Sequence, residues 1–128
     1  MSGYSVVHTK EAPPGPNSPP PQSQAIKTPF AIFLSGQIPA TPDGALVTGS
    51  ITDKTRQVIA NLRAVLAEAG SSIDKVVKVN VFLADMAYFA EMNEEYAQWF
   101  THKPARSCVA VRTLPLNVDV EMEAIALP

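Results

Sequence analysis

The sequence predicts an α+β fold, a single mixed β-sheet with two helices packed on one of its faces. Three observations predict it. Apolar residues recur at steps of three and four in two stretches, residues 51–69 and 86–100, as amphipathic helices require. Apolar and polar residues alternate over residues 76–83 and 118–127, the period of strands with one buried face. The elements follow the order strand, strand, helix, strand, helix, strand, strand, in a chain of 128 residues that has no room for a second core. Residues 1–128 are therefore read as a single domain. Two helices cover only one sheet face, so the other must be hidden, most simply by partner copies in a trimer or dimer.

Taken in order, residues 4–8 read as the first strand. Residues 12–22 follow, the Pro-rich segment APPGPNSPPPQ, which forms neither a helix nor a central strand and is expected as an extended loop. It either joins two strands through solvent or edges a site. The apolar run 30–35 reads as the second strand and ends in Ser35-Gly36-Gln37. There Gly36 marks a β-bulge or exposes a backbone amide to a ligand, and both readings stand.

The first helix has Ser50 or Thr52 as N-cap, Asp53 in its first turn and Gly70 as its left-handed stop. Ile51, Val58, Ile59, Leu62, Val65, Leu66 and Ala69 form its buried stripe, while Lys54, Arg56, Gln57, Arg63 and Glu68 read as a solvated face. Residues 76–83 are a strand with Val77, Val79, Val81 and Leu83 inward. Asp85 caps the second helix, whose stripe of Met86, Phe89, Met92, Tyr96, Trp99 and Phe100 reads as core. Asn93 lies near that stripe, where an amide must find partners or touch a cavity. The last strands, 104–111 and 118–127, are expected to pair as a hairpin about Leu114-Pro115-Leu116-Asn117, with Asp119, Glu121 and Glu123 on one face.

Composition excludes several classes of function. A formal charge of −2 with ten dispersed basic residues gives no footprint for a dedicated nucleic-acid binder. One cysteine, Cys108, excludes an internal disulfide, and two distant histidines, His8 and His102, have no metal-ligand spacing, so no metal is expected. No apolar run approaches the ~20 residues of a membrane span. With no secretory or Arg-rich presequence, a cytoplasmic location is expected, a mitochondrial one being the alternative.

Arg106 is the residue that asks for a function. It heads the apolar run Cys108-Val109-Ala110-Val111, where an unpaired guanidinium is costly to bury. Its partner is either an internal carboxylate, Glu121 or Glu123, or the carboxylate of a small substrate held in the guanidinium fork.

The words Ser23-Gln24-Ala25-Ile26, Ser35-Gly36-Gln37-Ile38-Pro39, Pro104-Ala105-Arg106-Ser107-Cys108-Val109 and Val120-Glu121-Met122-Glu123-Ala124-Ile125-Ala126 occur in that order. Together they resemble the Rid (YjgF) family of reactive-intermediate enamine/imine deaminases over nearly the whole chain. The resemblance implies a chorismate-mutase-like fold assembled as a homotrimer, with active sites between subunits. It implies cofactor-free hydrolysis of 2-aminoacrylate and related 2-imino acids to 2-keto acids and ammonia. By position, Arg106 resembles the arginine that clamps the substrate carboxylate and Glu121 the acid that activates water. Gly36 resembles the residue whose amide binds the carboxylate, Ser35 and Asn93 resemble pocket-lining residues, and Cys108 one that contributes mainly backbone. Where the family carries an aromatic residue before Ser-Gln-Ala, this chain has Gln22; a second alignment sets Gly15-Pro16 on the family's Gly-Pro and treats Asn17 to Gln22 as inserted. The same resemblance brings two other readings, a non-catalytic metabolite-binding or chaperone-like trimer and a translation-inhibiting endoribonuclease.

Overall fold

The computed structural model describes residues 3–15 and 20–128, so the middle of the Pro-rich segment and part of the stretch 17–22 lie outside the described residues. Its strands are β1 (Ser5–Val7), β2 (Ala25–Lys27), β3 (Ile32–Gln37), β4 (Val76–Leu83), β5 (Ala105–Ala110) and β6 (Val120–Ala126). Its helices are α1 (Ile51–Glu68) and α2 (Phe89–Trp99). The strands form one mixed sheet in the order β1-β2-β3-β6-β4-β5, in which only β4 and β5 run parallel. This is the expected architecture, one sheet with two helices on one face.

Alternation decides which residues face the helices. Val120, Met122, Ala124 and Ala126 of β6 and Val79, Val81 and Leu83 of β4 point inward against Val58, Ile59, Leu62, Val65 and Leu66 of α1 and Met92 of α2. The opposite face carries Phe82, Glu121, Glu123 and Ile125, with Phe33 and Val109 each 48% exposed. α1 starts where its sequence says it should. Ser50 Oγ accepts from the Asp53 amide at 3.0 Å, and the Asp53 carboxylate accepts from the Ser50 amide, a reciprocal capping box. At the other end Gly70 adopts φ +80°, and Lys27 Nζ donates to the Ala69 carbonyl at 2.7 Å.

Several expectations are corrected. β5 and β6 do not form a hairpin: β6 inserts between β3 and β4, antiparallel to both, and β5 pairs with the outer edge of β4. Antiparallel pairing on both sides gives β6 ladder partners on two edges, where a hairpin at the sheet edge would leave one edge open. The short strand β2, three residues with no alternating pattern of their own, adds a sixth strand to the five expected. The register of β4 shifts between Val76 and Lys78, so Val76 rather than Val77 enters the core and Val77 is left 42% exposed. Asp85 caps a single 3-10 turn, Met86–Tyr88, and α2 proper begins at Phe89. The polar face of α1 is not merely solvated: Lys54 pairs with Asp119 at 2.7 Å and Arg56 with Glu95 at 3.2 Å.

Candidate active site

At one end of the sheet a cavity of about 580 Å³ is walled by Pro13–Gly15, Gln22–Gln24, Ser35–Ile38 and the side chains of Glu121 and Glu123. A bulge in β3 builds its floor. Leu34 pairs with Ala124 and Gln37 with Met122, so Ser35 and Gly36 together oppose one residue of β6. Ser35 is tied to the neighbouring segment twice, its amide donating to the Gln24 carbonyl at 2.9 Å and its hydroxyl to the Ser23 carbonyl at 2.6 Å. Buried Gln24 holds the Pro-rich segment in place, donating from Nε2 to the carbonyls of Thr9, Ala12 and Pro13 at 3.1 Å each. Gln22 is exposed at the rim, its Nε2 2.9 Å from where a Cβ on Gly15 would stand.

Gly36 is required by contact as well as by the bulge. A Cβ there would lie 2.9 Å from Cδ of Glu121 and 3.2 Å from its Cγ, so the carboxylate rests directly on the glycine backbone. The bulge at Gly36 is borne out, and the group that approaches it closely is the Glu121 carboxylate. Burial, and secondarily the neighbouring Glu123, push the Glu121 carboxyl above its ordinary value of 4.5. Among the described residues no Lys or Arg lies within 4.0 Å of it. The result is a half-buried carboxylate, more basic than usual and facing a cavity, which suits it to accept a proton from water.

Arg106, Asn93 and Cys108 gather elsewhere. Arg106 pairs across the ladder with Val79 and Cys108 with Val81, so both side chains lie on the helix side of the sheet. Arg106 Nη1 donates to Asn93 Oδ1 at 2.6 Å, and its guanidinium carbon stands 4.7 Å from the ring centre of Tyr96 and 5.6 Å from that of Phe89. Burial pushes the Cys108 thiol up, with Arg106 opposing it, so the thiol stays protonated and is a poor nucleophile.

Neither internal carboxylate proposed as a partner reaches Arg106. Glu121 pairs with Phe82 and Glu123 with Asn80, on the open face, with β4 lying between β6 and β5. Within one chain, then, Gln22, Ser35, Gly36 and Glu121 meet at the cavity, while Arg106, Asn93 and Cys108 stand together on the other side of the sheet. Sequence reasoning missed the roles of Tyr96 and Phe89 because their spacing is also that of core residues. The signal was available: Phe89, Asn93 and Tyr96 fall at i, i+4 and i+7, a single helix face. Among the described residues no group of three His, Cys, Asp or Glu side chains is arranged to hold a metal ion, and no helix is long and apolar enough to cross a membrane.

The family model described as Endoribonuclease L-PSP matches residues 15–128. The chain is 58% identical over 122 residues to the mitochondrial protein MMF1 of Saccharomyces cerevisiae, covering 94% of this chain and 82% of that one. It is 42% identical over 123 residues to the chloroplastic Reactive Intermediate Deaminase A of Arabidopsis thaliana, covering 94% and 64% of the two chains. A crystal structure of YyfA from Yersinia pestis, a protein of unknown function of the conserved Rid family, superposes with a TM-score of 0.91 at 42% identity, covering 98% of this chain and 99% of that one.

Proposed function

This chain belongs to the endoribonuclease L-PSP (YjgF/Rid) family, and from that premise we propose that it hydrolyses reactive 2-imino and enamine acids without a cofactor. Its substrates are 2-aminoacrylate with its tautomer 2-iminopropanoate, and 2-iminobutanoate; its products are the 2-keto acids and ammonia. The observation that carries this reading is Glu121, a carboxylate raised by burial, with no Lys or Arg within 4.0 Å among the described residues, packed on Gly36 in a cavity. Glu121 takes a proton from water as its oxygen adds to the imine carbon, and the C=N π pair moves to nitrogen, forming a tetrahedral carbinolamine. The same carboxyl passes that proton to the nitrogen, then takes the carbinolamine hydroxyl proton as the C=O bond forms and delivers it to nitrogen as the C–N bond breaks, so that ammonia leaves and the carboxylate is restored. Arg106 holds the substrate carboxylate in its planar fork, aided by the Gly36 amide.

Because Arg106 and Glu121 lie on opposite faces of one sheet, the reading requires Arg106 of one subunit beside the cavity of another, as in a homotrimer. Ser35 and Gln22 line the cavity, Cys108 contributes backbone, and Asn93 acts through its bond to Arg106. A cytoplasmic location is proposed, with the mitochondrial name of a relative favouring the alternative. The family description keeps an endoribonuclease in view, but two carboxylates at the cavity disfavour a phosphate backbone there.

The test generates 2-iminobutanoate with an amino-acid dehydratase and traps it with semicarbazide, comparing wild type with Arg106→Ala. Wild type should suppress semicarbazone formation and the variant should not. If neither changes the trapping rate while both keep the same oligomeric state, the deaminase reading falls and a non-catalytic binding protein takes its place.

A further inference from the structure

A carboxylate clamp must keep both its charge and its donors free for the ligand, and α2 is built in a way that does this. The ring of Tyr96 stands 4.7 Å from the Arg106 guanidinium carbon and that of Phe89 5.6 Å, while the neutral Asn93 takes one N–H. An aromatic face attracts a cation through its π cloud and consumes none of the in-plane N–H groups. A carboxylate in the same place would fill the fork and compete with substrate. Two of the three acids of α2 are engaged elsewhere: Glu91 accepts from the amide and hydroxyl of Thr52, and Glu95 accepts from Arg56 and Trp99. No carboxylate lies within 4.0 Å of Arg106 among the described residues.

Tyr96 is itself immobilised. It is 6% exposed and stacks on Phe100 with ring centres 4.5 Å apart. Its hydroxyl is buried and has no hydrogen-bond partner among the described residues. The working part of the residue is the ring. We infer that Tyr96 is a positioning residue whose ring face fixes the Arg106 guanidinium for carboxylate binding, an inference that rests on the reading of Arg106 as the carboxylate clamp.

The experiment compares Tyr96→Phe, Tyr96→Leu and Arg106→Ala in steady-state hydrolysis of 2-iminobutanoate and in calorimetric titration with the product, 2-oxobutanoate. Tyr96→Leu should raise KM and weaken 2-oxobutanoate binding by about five- to thirtyfold, with kcat changed by less than about threefold because the clamp acts in ground and transition states alike. Tyr96→Phe keeps the ring and should match wild type. An unchanged KM in Tyr96→Leu, or a loss in Tyr96→Phe equal to that in Tyr96→Leu, overturns the inference. If Tyr96→Leu does not fold, Phe89→Leu, at a half-buried ring, makes the same comparison. Wild-type activity in Arg106→Ala would instead overturn the functional reading, whereas an inactive Arg106→Ala beside a normal Tyr96→Leu overturns the positioning role alone.

Discussion

At the scale of the residue, Glu121 sets function against stability. Burial and Glu123 raise its carboxyl above 4.5, so the folded protein holds this proton more tightly than the unfolded chain does. Its contribution to stability is fully present below the unfolded value of 4.5 and is lost as pH rises through the higher folded value. Glu121→Gln cannot ionise and keeps that contribution at every pH. The variant should therefore melt above wild type at about pH 7 and lose this advantage by about pH 4, while its imine hydrolysis falls by about 10²–10⁴. In the wild type, kcat/KM should rise with pH through a single ionisation above the ordinary glutamate range. Melting curves across pH and the pH–rate profile check both; a Glu121→Gln protein that melts below wild type at neutral pH would remove the strained carboxylate from the account. Arg106 was visible in the sequence as a charge in need of a partner, but the partner was not. Asn93 and Tyr96 lie 13 and 10 positions away on another element, and the spacing that puts Phe89, Asn93 and Tyr96 on one helix face does not say which residue that face meets.

At the scale of the element, local chemistry was legible and pairing was not. The cap of α1, its apolar stripe and its Gly70 stop follow from side-chain chemistry acting within a few residues; the stripe and the stop stand as expected, and of the two cap candidates the structure selects Ser50 and places Thr52 inside the helix. The insertion of β6 between β3 and β4 follows from competition among edges far apart in sequence, and alternation within a strand says which face is buried but not which neighbour it meets. The shifted register at Val76–Lys78 has the same origin, since period two from Val79, Val81 and Leu83 selects Val77, and only the pairing with β6 turns Val76 inward instead. The β3 bulge lies between these cases: Gly36 advertised it, and the carboxylate resting on it supplied the second reason. Gly36→Ala would drive a Cβ against Glu121, costing about 1–3 kcal/mol of stability and lowering kcat/KM by at least about tenfold as the carboxylate is displaced. Ser50→Ala, which removes the cap of α1, should cost about 1 kcal/mol and leave the kinetics alone. Thermal melts and initial rates on the two variants separate loss of fold stability from loss of site geometry; equal kinetic effects would show that Gly36 matters only to the fold.

At the scale of the whole molecule, the open sheet face and the divided site call for the same solution. Phe33 and Val109 are half-exposed on a face no helix covers, and surfaces of that kind are hidden by copies of the chain more readily than left to water. β4 stands between the strands that bear Arg106 and Glu121, and the two side chains leave the sheet on opposite sides, so a single subunit holds the proposed base at one place and the proposed clamp at another. Two inactive variants should then repair one another. In oligomers formed by co-expressing Arg106→Ala with Glu121→Gln, a site is complete when its arginine comes from a Glu121→Gln subunit and its glutamate from an Arg106→Ala subunit. For random mixing at equal amounts that holds for about one site in four, given sites built from two neighbouring subunits. Differentially tagged subunits allow the mixed oligomers to be isolated, and the semicarbazide trapping rate reads the recovery. About a quarter of wild-type activity is expected from co-expressed protein and none from the separately purified variants combined without exchange. Mixed oligomers that remain inactive would mean that both residues of each working site come from the same chain, and the division of the site across the sheet would then have no catalytic meaning.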